Sequence, residues 1–354
     1  MCIYFPDETP NLTYSKQEHI FPAGLGGKSK LAKGIVSDQA NELFSKLEIA
    51  LIRHSLLSFE RALFGPGKRG SLIVQNASKS PIHFSIEEET QKPILSYISL
   101  GKPYTISQFL FQNNRGWSVS APVEYEYNED TFLRFLNQLK RFNKVFTYIQ
   151  GNELNENDII IGYHDKKFYV STKNGRPSTQ EVKNAIMKFI NNFVISPIKI
   201  GNNHIQQHFS IIENEEISRA YAKVAINILT HLEGTKLINH HNFHEIKHWI
   251  LTGESANEYF HLPSLIDQTT NNICKLFQSK EHWCIFSCVD DKLCTLVCFY
   301  NRYLRQFVLG KLPENIKLDY PIGYICDWKN EKEYTLLDYV LNMAKANHYQ
   351  LCNN

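Results

Sequence analysis

A chain of 354 residues, 43% hydrophobic and 21% charged, is long enough for two or three domains with real cores and too apolar for a disordered tail. The formal net charge of +2 excludes attraction of polyanions by overall charge, so any nucleic-acid contact must come from a local patch. Eight cysteines are too few for a disulfide scaffold. The N-terminal stretch lacks the basic-then-apolar pattern of a signal peptide, and no segment reaches the roughly 18 apolar residues of a membrane span. The expectation is a cytoplasmic protein with reduced thiols and no membrane association.

In chain order, residues 16–30 read KQEHIFPAGLGGKSK: Glu18 and His19 stand side by side before a glycine-rich turn carrying Lys28 and Lys30. Residues 37–65 place Leu43, Leu47, Leu51, Leu56 and Leu63 at helical spacing, with Ser37 or Asp38 as N-cap and Gly65-Pro66-Gly67 as a stop. One long helix is predicted there. Residues 72–123 are rich in β-branched and aromatic residues and predict a sheet, followed by an amphipathic helix over 128–145, a hairpin over 158–172 and a helix capped by Ser178 or Thr179. Helices ending at Gly234 and Gly253, three strands over 281–312 and a final helix over 335–349 complete the chain. The fold class is α+β, with boundaries expected at 1–80, 81–205 and 206–354.

The Glu18-His19 pair can do phosphodiester chemistry: the imidazole as general base on water, the carboxylate as ligand of a divalent cation that neutralises the attacked phosphate. A hydrogen-bonded structural histidine is the competing reading, and the commoner one for a bare pair. The loop GPGKRGSL at 65–72 allows close backbone approach at its glycines and offers Lys68 and Arg69 to a phosphate backbone; alone it would be a solvated connector.

With EHIFPAGLGGK followed by KGIVSDQANELFSKLE, residues 1–72 resemble the bacterial HNH endonucleases, a family built on the ββα-metal finger. The resemblance implies an N-terminal ββα-metal finger ahead of a mixed α+β region with antiparallel strands. It maps Glu18 to the acidic metal ligand, His19 to the general base and Asn41 to the asparagine that orients it. Mg²⁺ or Mn²⁺ would be the cofactor and double-stranded DNA the expected nucleic-acid partner, with Lys28, Lys30, Lys68 and Arg69 on its backbone. The final histidine of the family pattern is missing, and Glu48, two helical turns from Asn41, is the candidate metal ligand in its place; a solvated carboxylate is the alternative. Of the two Cys-x-x-Cys pairs that hold a structural zinc in many members, Cys2 alone is present, so no structural zinc is expected and Phe5 is the expected apolar replacement.

Further along, His244-Glu245-Ile246-Lys247-His248 satisfies a zinc-protease pattern whose false-positive rate is high, and Lys247 suggests a surface helix. Residues 216–254 resemble, less specifically, the C-terminal part of larger HNH proteins, and that resemblance implies a basic helix face of Arg219 and Lys223, one turn apart. Cys284, Cys288, Cys294 and Cys298 do not have zinc-ribbon spacing and read as small buried thiols. The expected function is metal-dependent hydrolysis of nucleic-acid phosphodiester bonds. The alternatives are a catalytically inactive module that binds nucleic acid or, through its C-terminal region, a protein, and a zinc metalloprotease using His244, Glu245 and His248.

Overall fold

The structure, a computed structural model, describes residues 2–6, 9–88, 91–112, 116–120, 129–192, 205–207, 214–254, 272–278, 280–318 and 320–352. The chain folds as two units, one of Met1–Ser78 with Ile212–Asn354 and the other of Lys79–Ile211.

In the first unit a 3-10 turn at Ala23–Leu25 precedes helix α1 (Asp38–His54), which Ser37 caps by accepting a hydrogen bond from the Ala40 N–H. Ala40, Phe44, Leu47 and Leu51, at helical spacing, form its buried face. The single long helix expected from the leucine pattern is broken at Ser55. That residue is extended, its hydroxyl accepts from the Leu57 N–H at 3.1 Å, and α2 (Leu57–Phe64) restarts there and ends at Gly65.

The N-terminus is thus helical before any strand, and the expected ββα-metal arrangement is corrected. Residues 18–20 and 29–31 meet at a single antiparallel bridge, His19 with Lys30, flanked by Ile20 N–H to Ser29 O and Leu31 N–H to Glu18 O. The physical reason lies in the sequence between them. Pro22 has no N–H to give a ladder, and four small or kinked positions turn the chain into a 3-10 coil before a strand can extend. The HNH-like residues therefore stand on a different local fold, and the expectation of an HNH metal finger is corrected with it.

The second unit contains strands β1 (His83–Glu87), β2 (Pro93–Ser99), β3 (Lys102–Thr105), β4 (Ser107–Gln112) and β5 (Gly116–Ser120), then α3 (Glu129–Lys140). Strands β6 (Thr147–Gln150), β7 (Ile159–His164) and β8 (Lys167–Thr172), helix α4 (Thr179–Asn192) and β9 (Ile205–Gln207) follow. They form sheets of order β3-β2-β1-β9 and β5-β4-β7-β8-β6. A capping box starts α4: the Ser178 hydroxyl accepts from the Glu181 N–H, and the Glu181 carboxylate from the Ser178 N–H. Phe109 of β4 stacks on Phe189 of α4 at 4.2 Å between ring centroids, at the centre of the helix-covered core. Near the start of the region 72–123 expected to form a sheet, Val74–Asn76 form a 3-10 turn instead, with the Ser71 hydroxyl accepting from the Ile73 N–H and the Asn76 side-chain amide.

The first unit resumes with α5 (Glu215–Glu233), capped by Asn214 and ended at Gly234, then α6 (Thr235–Ile238) and α7 (His244–Thr252). Every residue of α5 from Ile217 to Thr230 is buried except the partly exposed Arg219. Five antiparallel strands, β10 (His282–Val289), β11 (Lys292–Phe299), β12 (Tyr303–Lys311), β13 (Ile322–Asp327) and β14 (Lys332–Thr335), pair in the order β12-β11-β10-β13-β14, and α8 (Leu336–Cys352) ends the chain. The two-residue turn Asp290-Asp291 takes positive φ at both positions, as a tight hairpin requires, and so do Tyr300 and Asn301 in the three-residue connection between Phe299 and Tyr303. One buried histidine ties this sheet to the N-terminal turn: the His282 Nε2 donates to Leu25 O at 3.0 Å, and its Nδ1 accepts from the Tyr300 N–H at 2.9 Å. Among the described residues, no helix is long and apolar enough to cross a membrane.

Candidate functional site

The site is assembled by three segments of the first unit: the stretch before the glycine turn, α1 and α5. Asp38, the first residue of α1, fixes the first of these. Its carboxylate accepts from the Ser15 N–H at 2.9 Å, the Lys16 N–H at 2.9 Å and the Thr13 hydroxyl at 2.8 Å. The Ser15 N–H first, then the Thr13 hydroxyl, hold the Asp38 carboxyl far below the usual carboxylate range. Glu18 and His19 follow directly, so the helix start sets where they sit.

Lys223 and Asn227 are four residues apart on α5 and therefore share a face. The Lys223 ammonium, fully buried, contacts Glu18 and lies 2.8 Å from Oε1 of Glu48. The Asn227 amide donates to His19 O at 3.0 Å and to Glu18 Oε1 at 3.3 Å, while its oxygen accepts from the Tyr4 hydroxyl at 2.7 Å. The Tyr4 ring packs edge-on against Phe44 of α1 at 4.6 Å, and the ammonium stands 5.5 Å over the same Phe44 ring.

The electrostatics follow from burial and from one cation serving two anions. Burial alone would lower the pKa of Lys223, but the carboxylates of Glu18 and Glu48 outweigh it, and the ammonium is held protonated above the usual lysine value. Glu18 is the more enclosed carboxylate. Burial raises its pKa, and Glu48 adds to that, beyond what Lys223 takes back. His19 is half-buried; burial first and Lys30 second lower its pKa, so the imidazole is neutral at pH 7.

Of the residues singled out in the sequence, Glu18, His19 and Glu48 are brought together. They are completed by a cation that belongs to α5. A divalent metal does not fit Glu18 and Glu48 as they stand, because the Lys223 ammonium already engages both carboxylates. Among the described residues, no group of three or more His, Cys, Asp or Glu side chains converges as a metal site. Asn41, on α1, is half-buried, and its side-chain amide nitrogen is buried without a hydrogen-bond partner. Sequence reading missed Asn227 and Tyr4 and misjudged Lys223. The available signal was a lysine and an asparagine at i and i+4 inside the otherwise apolar run AYAKVAINIL.

The basic residues divide. The turns at Ala23–Leu25 and Lys68–Gly70 pack together: Gly70, at φ +75°, leaves room for Ala23 O only 2.5 Å from where a Cβ would sit. Lys28, Lys30, Lys68 and Arg69 are all exposed on these turns or just after them. Lys28 is engaged, its ammonium 3.0 Å from Glu331 and its N–H donating to Glu333 at 2.7 Å. Lys30, Lys68 and Arg69 have no ion-pair partner among the described residues.

The other candidates are placed elsewhere. His244, Glu245 and His248 are exposed on α7, with His248 3.7 Å from Glu254, whereas Lys247, expected on a surface, is buried and donates to Ile238 O at 2.9 Å. The expected basic face of α5 is used up internally: the Arg219 guanidinium donates to Ile250 O and Leu251 O at the end of α7, at 2.9 and 2.7 Å. Cys284 and Cys298 are buried as expected, Cys294 is half-buried, and Cys288 is exposed where β10 runs out of the core. Cys2 is buried and accepts from the Ser37 N–H, and Phe5 is partly buried and packs against the core.

No protein-family model matches the chain, no curated protein is similar to it, and no solved structure matches its fold.

Proposed function

We propose that the unit formed by residues 1–78 and 212–354 binds the phosphate backbone of a nucleic acid on its two packed glycine turns, without a metal held by Glu18 and Glu48. The observation that carries this reading is the packing of the two glycine turns against each other, with Lys30, Lys68 and Arg69 exposed on or just after them and without an ion-pair partner among the described residues, while Glu18 and Glu48 are closed on the buried Lys223 ammonium. Cations on glycine turns position a backbone and do not read bases, so binding is expected to be indifferent to sequence. Fluorescence anisotropy of a labelled duplex tests it. Replacing Lys68 and Arg69 together by Ala should weaken binding on every sequence and lower the magnitude of the salt slope by about 2, nearly one for each lost phosphate contact. An unchanged slope and affinity would make 65–72 a solvated connector.

One observation favours a second reading, phosphodiester hydrolysis. His19 is neutral at pH 7, partly exposed and next to the unpaired Lys30, the state a general base needs near a phosphate. Under this reading His19→Ala abolishes cleavage of a nucleic acid while leaving its binding intact. Cleavage at the wild-type rate in that variant, or no cleavage by the wild type, removes it. A divalent cation would have to displace Lys223 to reach Glu18 and Glu48.

A further inference from the structure

The second unit has its own cavity, of about 400 Å³, between the end of α3, the connection into β6 and the β7–β8 hairpin. Its charged lining is all of one sign: Arg141, Lys166 and Lys167 face it and no carboxylate does. The hairpin explains why two of them stand there. Asp165 and Lys166 take the positive φ values of a two-residue turn, which puts Lys166 at the tip and Lys167 at the first position of β8. Asp165, the nearest acid along the chain, is turned to His164 Nε2 at 3.3 Å instead. None of the three cations has an ion-pair partner among the described residues, and all three are exposed.

The rest of the lining is that of a site for a small polar aromatic ligand. The Tyr163 ring, half-buried and 4.9 Å from Phe168, forms part of one wall; Gln138 supplies an amide donor and acceptor, and Asn143, whose oxygen accepts from the Val145 N–H at 3.3 Å, supplies amide donors. A volume of this size lies within the range of roughly 300–1,000 Å³ of small-molecule sites. Like charges gathered without a counter-charge repel, and an anion with several oxygens relieves that repulsion while using the fixed hydrogen-bond geometry of an arginine.

We propose that this cavity binds a phosphate-bearing nucleotide unit, its phosphate on Arg141, Lys166 and Lys167 and its base against Tyr163 with the amides of Gln138 and Asn143 at the base edge. The ligand chemistry is shared by a free nucleotide and by one nucleotide of a single strand. The proposal is independent of the glycine turns of the first unit.

The test is calorimetric titration of the full chain with ATP and, separately, anisotropy with a labelled ten-residue oligothymidylate, each in wild type, in Arg141→Ala/Lys167→Ala and in the charge-preserving Lys166→Arg/Lys167→Arg. The proposal expects at least one probe to bind the wild type, at least tenfold weaker binding by the alanine variant, and retained binding by the arginine variant. For the oligonucleotide the magnitude of the salt slope should fall by about 1.4, about 0.7 for each lost contact on a single strand. Binding of ATP alone assigns a free nucleotide, and binding of the oligonucleotide alone assigns a strand. The side chains are exposed, so a melting curve unchanged from wild type shows that the alanine variant is folded. Binding of neither probe, or equal binding by the alanine variant, overturns the proposal.

Discussion

The Lys223 ammonium lies 2.8 Å from Oε1 of Glu48, joining α5 to α1 across 175 residues of chain, and it also contacts Glu18. A buried ammonium without counter-charge is costly, as are two enclosed carboxylates without a cation, so each of the three residues is tolerated because of the others. The triad holds Glu18, and with it the adjacent His19, against the helices.

Lys223→Met, close in size and apolar, should destabilise the chain at pH 7 by about 3–5 kcal/mol, the usual cost of stranding one side of a buried ion pair. The pH dependence has a definite sign. Glu18 in this variant keeps its raised pKa without a cation to lower it, so the folded state binds more protons than the unfolded one. Part of the loss should therefore be recovered as pH falls from that raised value towards 4.5, the ordinary glutamate value. Denaturant melts of wild type and variant from pH 7 to 5 measure it; a penalty that stays constant or grows towards pH 5 would contradict the triad.

His282 and His83 should make the chain acid-sensitive in a specific window. Burial lowers His282 to about 3 and His83 to about 4, against 6.5 in the unfolded chain. Between those values the unfolded state takes up protons that the folded state refuses. Each contribution is complete above about pH 6.5 and is lost as pH falls towards the folded value, at about 1.4 kcal/mol per pH unit for each histidine. His282→Gln should remove one proton from the uptake on unfolding of the first unit between pH 6 and 4, measured as the slope of stability against pH. An unchanged slope would mean that His282 is not held neutral.

Asp38 is only half-buried, yet it orders residues 13–16. Asp38→Ala should leave α1 in place, since Ser37 is its cap, and should speed amide hydrogen exchange at Ser15 and Lys16, whose N–H groups lose their acceptor. Exchange at those two amides that matches wild type would remove Asp38 from the site's support.

At Gly70 a side chain meets two obstacles, a φ of +75° and the carbonyl oxygen of Ala23. Gly70→Ala should cost more than about 1 kcal/mol and separate the two basic turns, lowering nucleic-acid affinity along with stability. A variant as stable as wild type, or a destabilised one that binds duplex as well, would show that the packing of the turns is unimportant.

Elements whose signals are local were legible in the sequence. Ser37 as cap, Gly234 and Gly253 as stops, Ser178 as cap and the three strands over 281–312 each depend on a few neighbouring residues, and the structure has them there. The break at Ser55 was hidden because the leucine spacing runs through it while one hydroxyl decides the backbone. The finger expected from the HNH resemblance failed for a related reason: Glu18, His19 and Asn41 are present, but Pro22 and the small residues after it coil where the finger needs strands. Glu18, His19 and Glu48 could be chosen for their chemistry, but their neutralising cation comes from a lysine more than 170 residues away, and no local pattern records that pairing. The buried Lys223 and Asn227 were visible as polar residues in an apolar helix, and burial, not surface charge, was the meaning of that signal.

The central claim is that Lys223 serves as the cation of Glu18 and Glu48 and that nucleic acid binds without a metal. Anisotropy of a labelled 20-base-pair duplex titrated with the full chain, in EDTA and again in Mn²⁺, with the duplex recovered and run on a denaturing gel, tests it most directly. The same affinity in both buffers and intact DNA at the end are expected. Binding that is lost in EDTA and restored by Mn²⁺, or strands cut only when Mn²⁺ is present, would contradict it.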